Sequence, residues 1–114
     1  MSSQARQDRR AIVRELRDAF PPMGIYAVRV RDSGHVLVGA SRNVHASLNR
    51  ARFELRMGGH KDRVMQAAWK QGGEEAISFE ILEMVKERED PDFDYAQELG
   101  GLEQIHRQRQ GLAA

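Results

Sequence analysis

The side chains best suited to bind a ligand are cations concentrated in one part of the sequence. Residues 42–70 hold seven Lys or Arg against two Asp or Glu, whereas the net charge of all 114 residues is only +1. Lys and Arg bind phosphate groups, and such contacts give affinity for nucleic acid without reading its sequence. The candidates for phosphate contacts are Arg42, Arg50, Arg52, Arg56, Lys61 and Arg63. The alternative is an ordinary solvated helix surface.

Residue types that other chemistries need are missing or scattered. The sequence has no cysteine, which excludes disulfides, thiolate metal sites and a cysteine nucleophile and is typical of a reducing compartment. The four histidines do not have the spacing of a zinc site. No apolar run has signal-peptide length or approaches the roughly 20 residues that span a bilayer. We therefore expect a cytoplasmic protein without a membrane partner.

A hairpin is predicted early in the sequence. Residues 24–30 (GIYAVRV) and 35–38 (HVLV) are rich in β-branched and aromatic types, which favour strands. Between them RDSG supplies Asp, Ser and Gly, which form turns. Tyr26 lies in the first strand and Leu37 in the second. Taken alone, a tyrosine in a strand is most simply a packing residue.

Helical spacing is found on both sides of this hairpin. From Gln4 to Phe20 apolar residues recur at helical intervals, and Pro21-Pro22 ends the pattern. After the hairpin, Asn43 is a candidate N-cap for a helix that closes at Gly58-Gly59. The apolar stripe of that helix comprises Val44, Leu48, Ala51 and Leu55.

The rest of the sequence predicts a helix, a strand and a helix. Ile77, Phe79 and Ile81 alternate with polar residues as in a half-buried strand, and residues 95–107 regain helical spacing. The order predicts an α+β fold, in which helices pack on a three-stranded sheet. Residues 108–114 are expected to form a frayed tail. The helix before the third strand, residues 61–71, is expected to bury Val64, Met65, Ala68 and Trp69.

An ordered series of motifs resembles the GIY-YIG nuclease superfamily. Gly24-Ile25-Tyr26 is followed by a strand ending Leu37-Val38-Gly39, and then by SRN, LNRARFEL, GGH, WKQGG and FEILE. The resemblance covers residues 23–107, which form one domain after an N-terminal amphipathic helix, residues 1–22. It implies an α/β sandwich with a three-stranded antiparallel sheet. It also implies metal-dependent hydrolysis of phosphodiester bonds in DNA, with Mg²⁺ or Mn²⁺ as cofactor.

The resemblance assigns roles to three matched residues. Tyr26 matches a tyrosine that helps to deprotonate the attacking water, and Glu103 matches the glutamate that binds the metal. His60 matches a histidine that precedes a helix. Alone, Glu103 would most simply be a solvated carboxylate and His60 a residue flanking a helix.

Two positions depart from the family pattern. Leu37 stands where the family has its second tyrosine, and Ser47 stands where it has an arginine. Arg50 lies one turn after Ser47, so we expect it to contact the phosphate instead. The domain is therefore interpreted as a nuclease whose activity is weak or lost. The alternatives are a non-catalytic module that binds nucleic acid or protein, and an assembly protein acting through the N-terminal helix. In either case, as a nuclease or as a binding module, the domain could depend on a protein partner that directs it to its target.

Overall fold

The computed structural model describes residues 19–112, in which helices cover both faces of a three-stranded antiparallel sheet. The strands are β1 (Gly24–Val30), β2 (Val36–Ser41) and β3 (Ile77–Met84). β1 lies in the centre, between β2 and β3. The helices are α1 (Val44–Met57), α2 (Arg63–Gly72) and α3 (Tyr95–Arg109), and a short 3₁₀ helix, Gly73–Ala76, precedes β3. The predicted fold class is confirmed.

β1 and β2 form the predicted hairpin, although β2 extends three residues beyond its expected end. Tyr26 pairs with Gly39, and Val28 pairs with Leu37. Gly34 closes the turn with a φ of 75°, a backbone conformation that favours glycine. Turn chemistry and strand composition therefore suffice to explain this element.

Side-chain caps fix the beginnings of all three helices. The predicted cap Asn43 accepts a hydrogen bond from Ala46 N, and α1 ends at Gly58 in the left-handed conformation. Asp62 caps α2 through Met65 N, so α2 begins two residues later than predicted. Asp94 caps α3 through Gln97 N. Each cap satisfies a backbone N–H that the first helical turn leaves without a partner.

Alternation along β1 divides the core into two clusters. Ile25 and Ala27 pack against α3, whereas Val28 and Val30 pack against α1 and α2. β2 alternates in the same way, because Leu37 packs with the second cluster and its neighbours with the first. A strand places successive side chains on opposite faces, so a central strand with helices on both sides is apolar almost throughout. Tyr26 belongs to the face that carries α1.

Two predicted core residues are exposed. Val64 of α2 keeps 53% of its surface exposed and Ile81 of β3 keeps 42%. A register shift between Ile25 and Tyr26 changes how β3 pairs with β1. The apolar and polar residues that alternate along β3 are therefore not alternately buried and exposed. In α2 only Met65 is fully buried, because the helix contacts the core along a narrow stripe.

The two chain ends differ from their predictions in different ways. The predicted N-terminal helix falls largely outside the described residues, and Ala19 and Phe20 are not helical. α3 continues two residues past its predicted end, and Leu112 folds back onto the first core cluster. As far as Leu112, therefore, the tail is packed rather than frayed. No described helix combines the length and apolar character needed to cross a membrane.

Two glycines allow unusually close approach within the sheet. A Cβ at Gly24 would overlap the carbonyl oxygen of Glu83 on β3. A Cβ at Gly39 would lie 2.6 Å from both Cζ and the hydroxyl oxygen of Tyr26. The phenol ring of Tyr26 therefore lies across the backbone of β2. Both motif glycines have a packing reason to be glycine.

We predict that Gly39→Ala destabilises the fold by about 1–3 kcal/mol, because the added methyl group forces the Tyr26 ring out of place. Gly100→Ala is the matched control, since Gly100 lies in α3 with nothing within 4 Å of a Cβ. Alanine in a helix interior should raise stability by about 0.5–1 kcal/mol. Urea denaturation of both variants measures the difference. Equal effects of the two substitutions would contradict this packing account.

Candidate active site

A cleft on the α1 side of the sheet brings several candidate residues together. It has a volume of about 240 Å³. Its walls come from β1, β2, α1 and the loop between α1 and α2. The lining residues are Tyr26, Val28, Leu37, Ser47, Arg50, Ala51, Glu54, His60 and Lys61.

Tyr26 is the phenol of this cleft, and its pKa is raised above the ordinary tyrosine value. Burial is the largest cause, and the negative charge of Glu103 acts in the same direction. Arg50 lowers the pKa and Glu54 raises it, each with a smaller effect. The phenol is therefore neutral at pH 7, and its hydroxyl can both donate and accept a hydrogen bond. The same influences show that Arg50 and Glu103 are both close enough to act on Tyr26.

Arg50 reaches the cleft from α1 although it is one turn from the arginine position of the resemblance. Ser47 and Arg50 both line the cleft, since residues three apart lie on one helix face. The hydroxyl of Ser47 donates to Ser41 Oγ at 2.6 Å. Ser47 therefore ties α1 to the end of β2, while the exposed guanidinium of Arg50 has no ion pair with another described residue.

His60 is held at the mouth of the cleft by its own loop. Its backbone N–H donates to Gln66 Oε1 at 2.9 Å, and its Nδ1 accepts a hydrogen bond from Asp62 N at 3.0 Å. Gln66 in turn donates to the carbonyl oxygen of Leu55 at the end of α1. Because Nδ1 is the acceptor, the ring hydrogen of the neutral imidazole lies on Nε2. His60 can thus offer an N–H donor to a bound ligand.

Asp62 connects this loop to the hairpin. His35 Nε2 lies 2.8 Å from Asp62 Oδ2, and Asp62 Oδ1 accepts the α2 capping bond from Met65 N at 3.0 Å. Burial alone would raise the pKa of Asp62, but the hydrogen bonds from His35 and Met65 together hold it below its usual range. The carboxylate of Asp62 therefore links the start of α2 to His35, which precedes β2, and the backbone N–H of the same residue holds the ring of His60.

Glu103 approaches Tyr26 from α3, on the other side of the sheet. It does not line the cleft itself, but its charge raises the pKa of Tyr26. α3 is anchored nearby, because the buried His106 lies 2.7 Å from Glu83 of β3, and Arg29 of β1 donates to Gln110. No hydrogen bond or ion pair within residues 19–112 engages the half-buried carboxylate of Glu103.

The donor set fits a hard cation held by few protein ligands. Mg²⁺ prefers oxygen ligands and keeps several waters, so a single carboxylate without an ion pair is a suitable ligand. In residues 19–112 no group of three or more His, Asp or Glu could enclose a metal ion. Glu103 therefore fits an open, water-rich site, and the described residues do not form a closed structural one.

Leu37 occupies the wall of the cleft where the resemblance has a second tyrosine. It pairs with Val28 and packs with the α1-side core cluster. Leu37 offers no polar atom to the cleft, so that part of the wall is apolar.

The remaining cations occupy different surfaces. Arg52 lies over the ring of Phe79, 4.5 Å from its centroid, and its Nε is 3.0 Å from Glu74. Arg52 is therefore engaged within the fold and does not line the cleft. Lys61 lines the cleft, whereas Arg56 borders a second groove between α1 and α2. Arg42 and Arg63 are exposed near the beginnings of α1 and α2.

Three residues around the cleft were not anticipated from the sequence. Glu54 lines it beside Arg50, and Asp62 and Gln66 hold the His60 loop. The spacing of four residues between Arg50 and Glu54 could have indicated one helix face. Asp62 could have been recognised as an N-cap, because it precedes the first apolar residues of α2.

We predict that the pKa of Tyr26 responds to both charged neighbours with opposite signs. Glu103→Gln should lower the pKa, because it removes the larger of the two charges that raise it, and Arg50→Gln should raise it further. Absorbance of the tyrosinate on titration measures the change, in a Tyr95→Phe background that leaves Tyr26 as the sole tyrosine. Glu98→Gln is the control carboxylate on α3. Identical titration curves for all four proteins would contradict the proximity of these groups.

Two solved structures are similar to this fold. One is the catalytic domain of intron endonuclease I-TevI in a mutant form, with a TM-score of 0.61 and 17% identity over 79% of this chain and 84% of that chain. The other is the catalytic domain of homing endonuclease I-TevI, with a TM-score of 0.61 and 18% identity over 78% of this chain and 88% of that chain. No protein-family model and no curated protein matches the sequence. The chain therefore has the fold of a GIY-YIG endonuclease catalytic domain.

Proposed function

We propose that the cleft hydrolyses phosphodiester bonds in DNA with the help of a divalent metal ion. The observation that carries this proposal is the convergence of Tyr26, Arg50 and His60 on one cleft, with Glu103 close enough to perturb Tyr26. These four are the proposed catalytic residues. The fold shared with an endonuclease catalytic domain supports the same proposal.

Each polar group has a separate proposed task. The neutral phenol of Tyr26 accepts a hydrogen bond from the attacking water and orients it. Arg50 places positive charge beside the phosphate oxygens, where negative charge develops in the transition state. His60, with its ring hydrogen on Nε2, donates to another phosphate oxygen. These tasks require positioned hydrogen bonds, which the His60 loop and α1 provide.

Glu103 is the proposed ligand for Mg²⁺ or Mn²⁺. When bound, such an ion stabilises negative charge on the phosphate and leaving oxygens. The part of Glu103 is to hold the ion beside Tyr26, and its carboxylate is available because no ion pair with residues 19–112 engages it.

Affinity for DNA is proposed to come from exposed cations both in the cleft and outside it. Lys61 lies in the cleft, and Arg42, Arg56 and Arg63 are exposed on the same basic part of the chain. Such contacts with phosphates position DNA without selecting its sequence. Arg52 contributes least to this surface, since Glu74 and Phe79 already engage it.

A second candidate function is a binding module without catalysis. Two observations favour it. Leu37 makes one wall of the cleft apolar, and the hydroxyl of Ser47 already donates a hydrogen bond to Ser41. Loss of one positioned acid–base group costs about 10²- to 10⁴-fold in rate. Such a module would still bind DNA, or a protein partner, through the basic surface.

We predict that the protein cleaves supercoiled plasmid, branched or single-stranded DNA with Mg²⁺ or Mn²⁺, and that Tyr26→Phe and Glu103→Gln each lower the rate by about 10²-fold or more. Gel electrophoresis of the products measures the rates. Tyr95→Phe and Glu98→Gln are the matched controls, because each removes the same chemical group at a position that neither lines the cleft nor acts on Tyr26. Both controls should keep the wild-type rate.

The outcome separates the two candidate functions. Cleavage that all four variants retain would point to a contaminating nuclease. Absence of cleavage, together with no difference in Mn²⁺ binding between wild type and Glu103→Gln, would favour the binding module. Mn²⁺ binding follows from the loss of its electron paramagnetic resonance signal, which does not depend on turnover.

We further predict that Leu37→Tyr increases the cleavage rate, by up to about 10²-fold, because it supplies a second phenol on the cleft wall. Leu37 is half-buried at the edge of the cleft, so a longer side chain can extend into the open space. Leu37→Phe is the control for ring size without the hydroxyl. An equal rate for the Tyr and Phe variants would argue that this position no longer takes part in catalysis.

A further inference from the structure

Exposed apolar side chains lie beside the cleft on the outer surface of α1. Phe53 keeps 60% of its surface exposed and Met57 keeps 68%. They are four residues apart on one helix and therefore share a face. Neither belongs to the two core clusters. An exposed phenylalanine followed by an exposed methionine one turn later is unusual on a charged helix and indicates a contact surface.

This apolar face continues into a shallow groove between α1 and α2. The groove has a volume of about 230 Å³, and Met57 and Trp69 lie in it together with the cations Arg56 and Lys70. We name the combined patch the aromatic–basic surface. It consists of Phe53, Arg56, Met57, Trp69 and Lys70.

The aromatic–basic surface adjoins the candidate active site. Phe53 follows Arg50 by one turn of α1, and Arg50 lines the cleft. At the other end, the loop from Gly58 to Lys61 leads from the groove into the cleft. A ligand strand that crosses this corner would meet cations and rings in succession.

We propose that the aromatic–basic surface binds the unpaired bases of single-stranded DNA and leads the strand to the cleft. Proteins that hold single strands combine cations along the phosphates with aromatic rings on which bases stack. This surface offers the exposed ring of Phe53 and the outer part of the half-buried ring of Trp69, whose other side packs against the core. A duplex keeps its bases stacked on one another, so it would gain little from exposed rings. The proposal rests on the proposed function, because it names the form of DNA that the same site takes.

Charge favours nucleic acid over other occupants of the surface. Arg56 and Lys70 are the ionisable residues of the groove, and both are cationic. Two carboxylates of the neighbouring elements have other positions, because Glu54 lines the cleft and Glu74 pairs with Arg52. An acidic protein surface, including residues 80–98 of a second copy, could match the charge but would not need exposed rings.

The test is binding by the whole chain in EDTA, so that no hydrolysis depends on a metal ion. Three probes are compared: an oligothymidine of about 12 nucleotides, a duplex of the same length, and a strand of abasic sites with the same number of phosphates. Trp69 is the single tryptophan of the chain and lies in the groove, so quenching of its fluorescence reports stacking directly. Fluorescence anisotropy of labelled probes gives the affinities.

We predict that oligothymidine binds roughly tenfold more tightly than the abasic strand and the duplex, and that it alone quenches Trp69. Phe53→Ala should remove most of that preference and leave abasic binding unchanged. Val64→Ala is the matched control, an exposed apolar residue of α2 outside the groove. Arg56→Gln should weaken the binding of all three probes and lower the salt dependence of the affinity by the equivalent of about one phosphate contact.

Several results would overturn the proposal. They are equal affinities for the strand and the abasic probe, tighter binding of the duplex, or no effect of Phe53→Ala. Self-association that Phe53→Ala abolishes, seen by sedimentation without DNA, would assign the surface to a second copy. Because EDTA removes any metal, absence of cleavage in the earlier assay leaves this test intact. Cleavage of duplex without a preference for strands would overturn this inference alone.

Discussion

The ring of Tyr26 lies across β2 because residue 39 has no side chain. A Cβ at that position would lie 2.6 Å from the Tyr26 hydroxyl oxygen, so a side chain at residue 39 would displace the ring. The consequence reaches both faces of the sheet. The phenol points toward an edge strand, where α1 on one side and α3 on the other can bring charged groups near it. The rest of the candidate site is arranged around this contact.

The charges near Tyr26 act on its phenol in opposite directions. Burial, Glu103 and Glu54 all raise the pKa of the phenol, and Arg50 alone opposes them. A divalent cation held by Glu103 would reverse the sign of the local field, because a bound ion is the largest charge in such a site. The proposed metal ion would therefore act on the pKa of Tyr26 in the same direction as Arg50.

Local signals in the sequence predict the elements better than the burial of single residues. The β1 strand, the Asn43 cap and the Gly58 ending depend on a few neighbouring residues, and all three are confirmed. The exposure of Ile81 depends on how β3 pairs across a register shift, which no local pattern contains. The packing of Leu112 likewise depends on distant residues.

In the candidate site, too, the sequence predicts what depends on neighbouring residues and misses what depends on residues far apart in the chain. That Arg50 lies on the helix face of Ser47 follows from helix geometry alone, and both residues line the cleft. The resemblance named Glu103, but the sequence could not show that Glu103 approaches Tyr26 from the opposite layer. The fixed tautomer of His60 depends on a hydrogen bond from Asp62, which only the folded loop provides. Residues on one element could be grouped from the sequence, whereas those on different elements could not.

The two departures from the family pattern have different physical consequences. Ser47 lacks the charge of the family's arginine, but its hydroxyl makes a hydrogen bond that ties α1 to β2. Arg50 and Lys61 supply positive charge to the cleft in its place. Leu37 gives up a hydroxyl and gains packing against the core, and no neighbouring polar group takes its place on that wall. The loss of charge is therefore compensated within the cleft, whereas the loss of the second phenol is not. Under the proposed function, hydrolysis at this cleft would therefore use one phenol, because residue 37 contributes no hydroxyl to the wall.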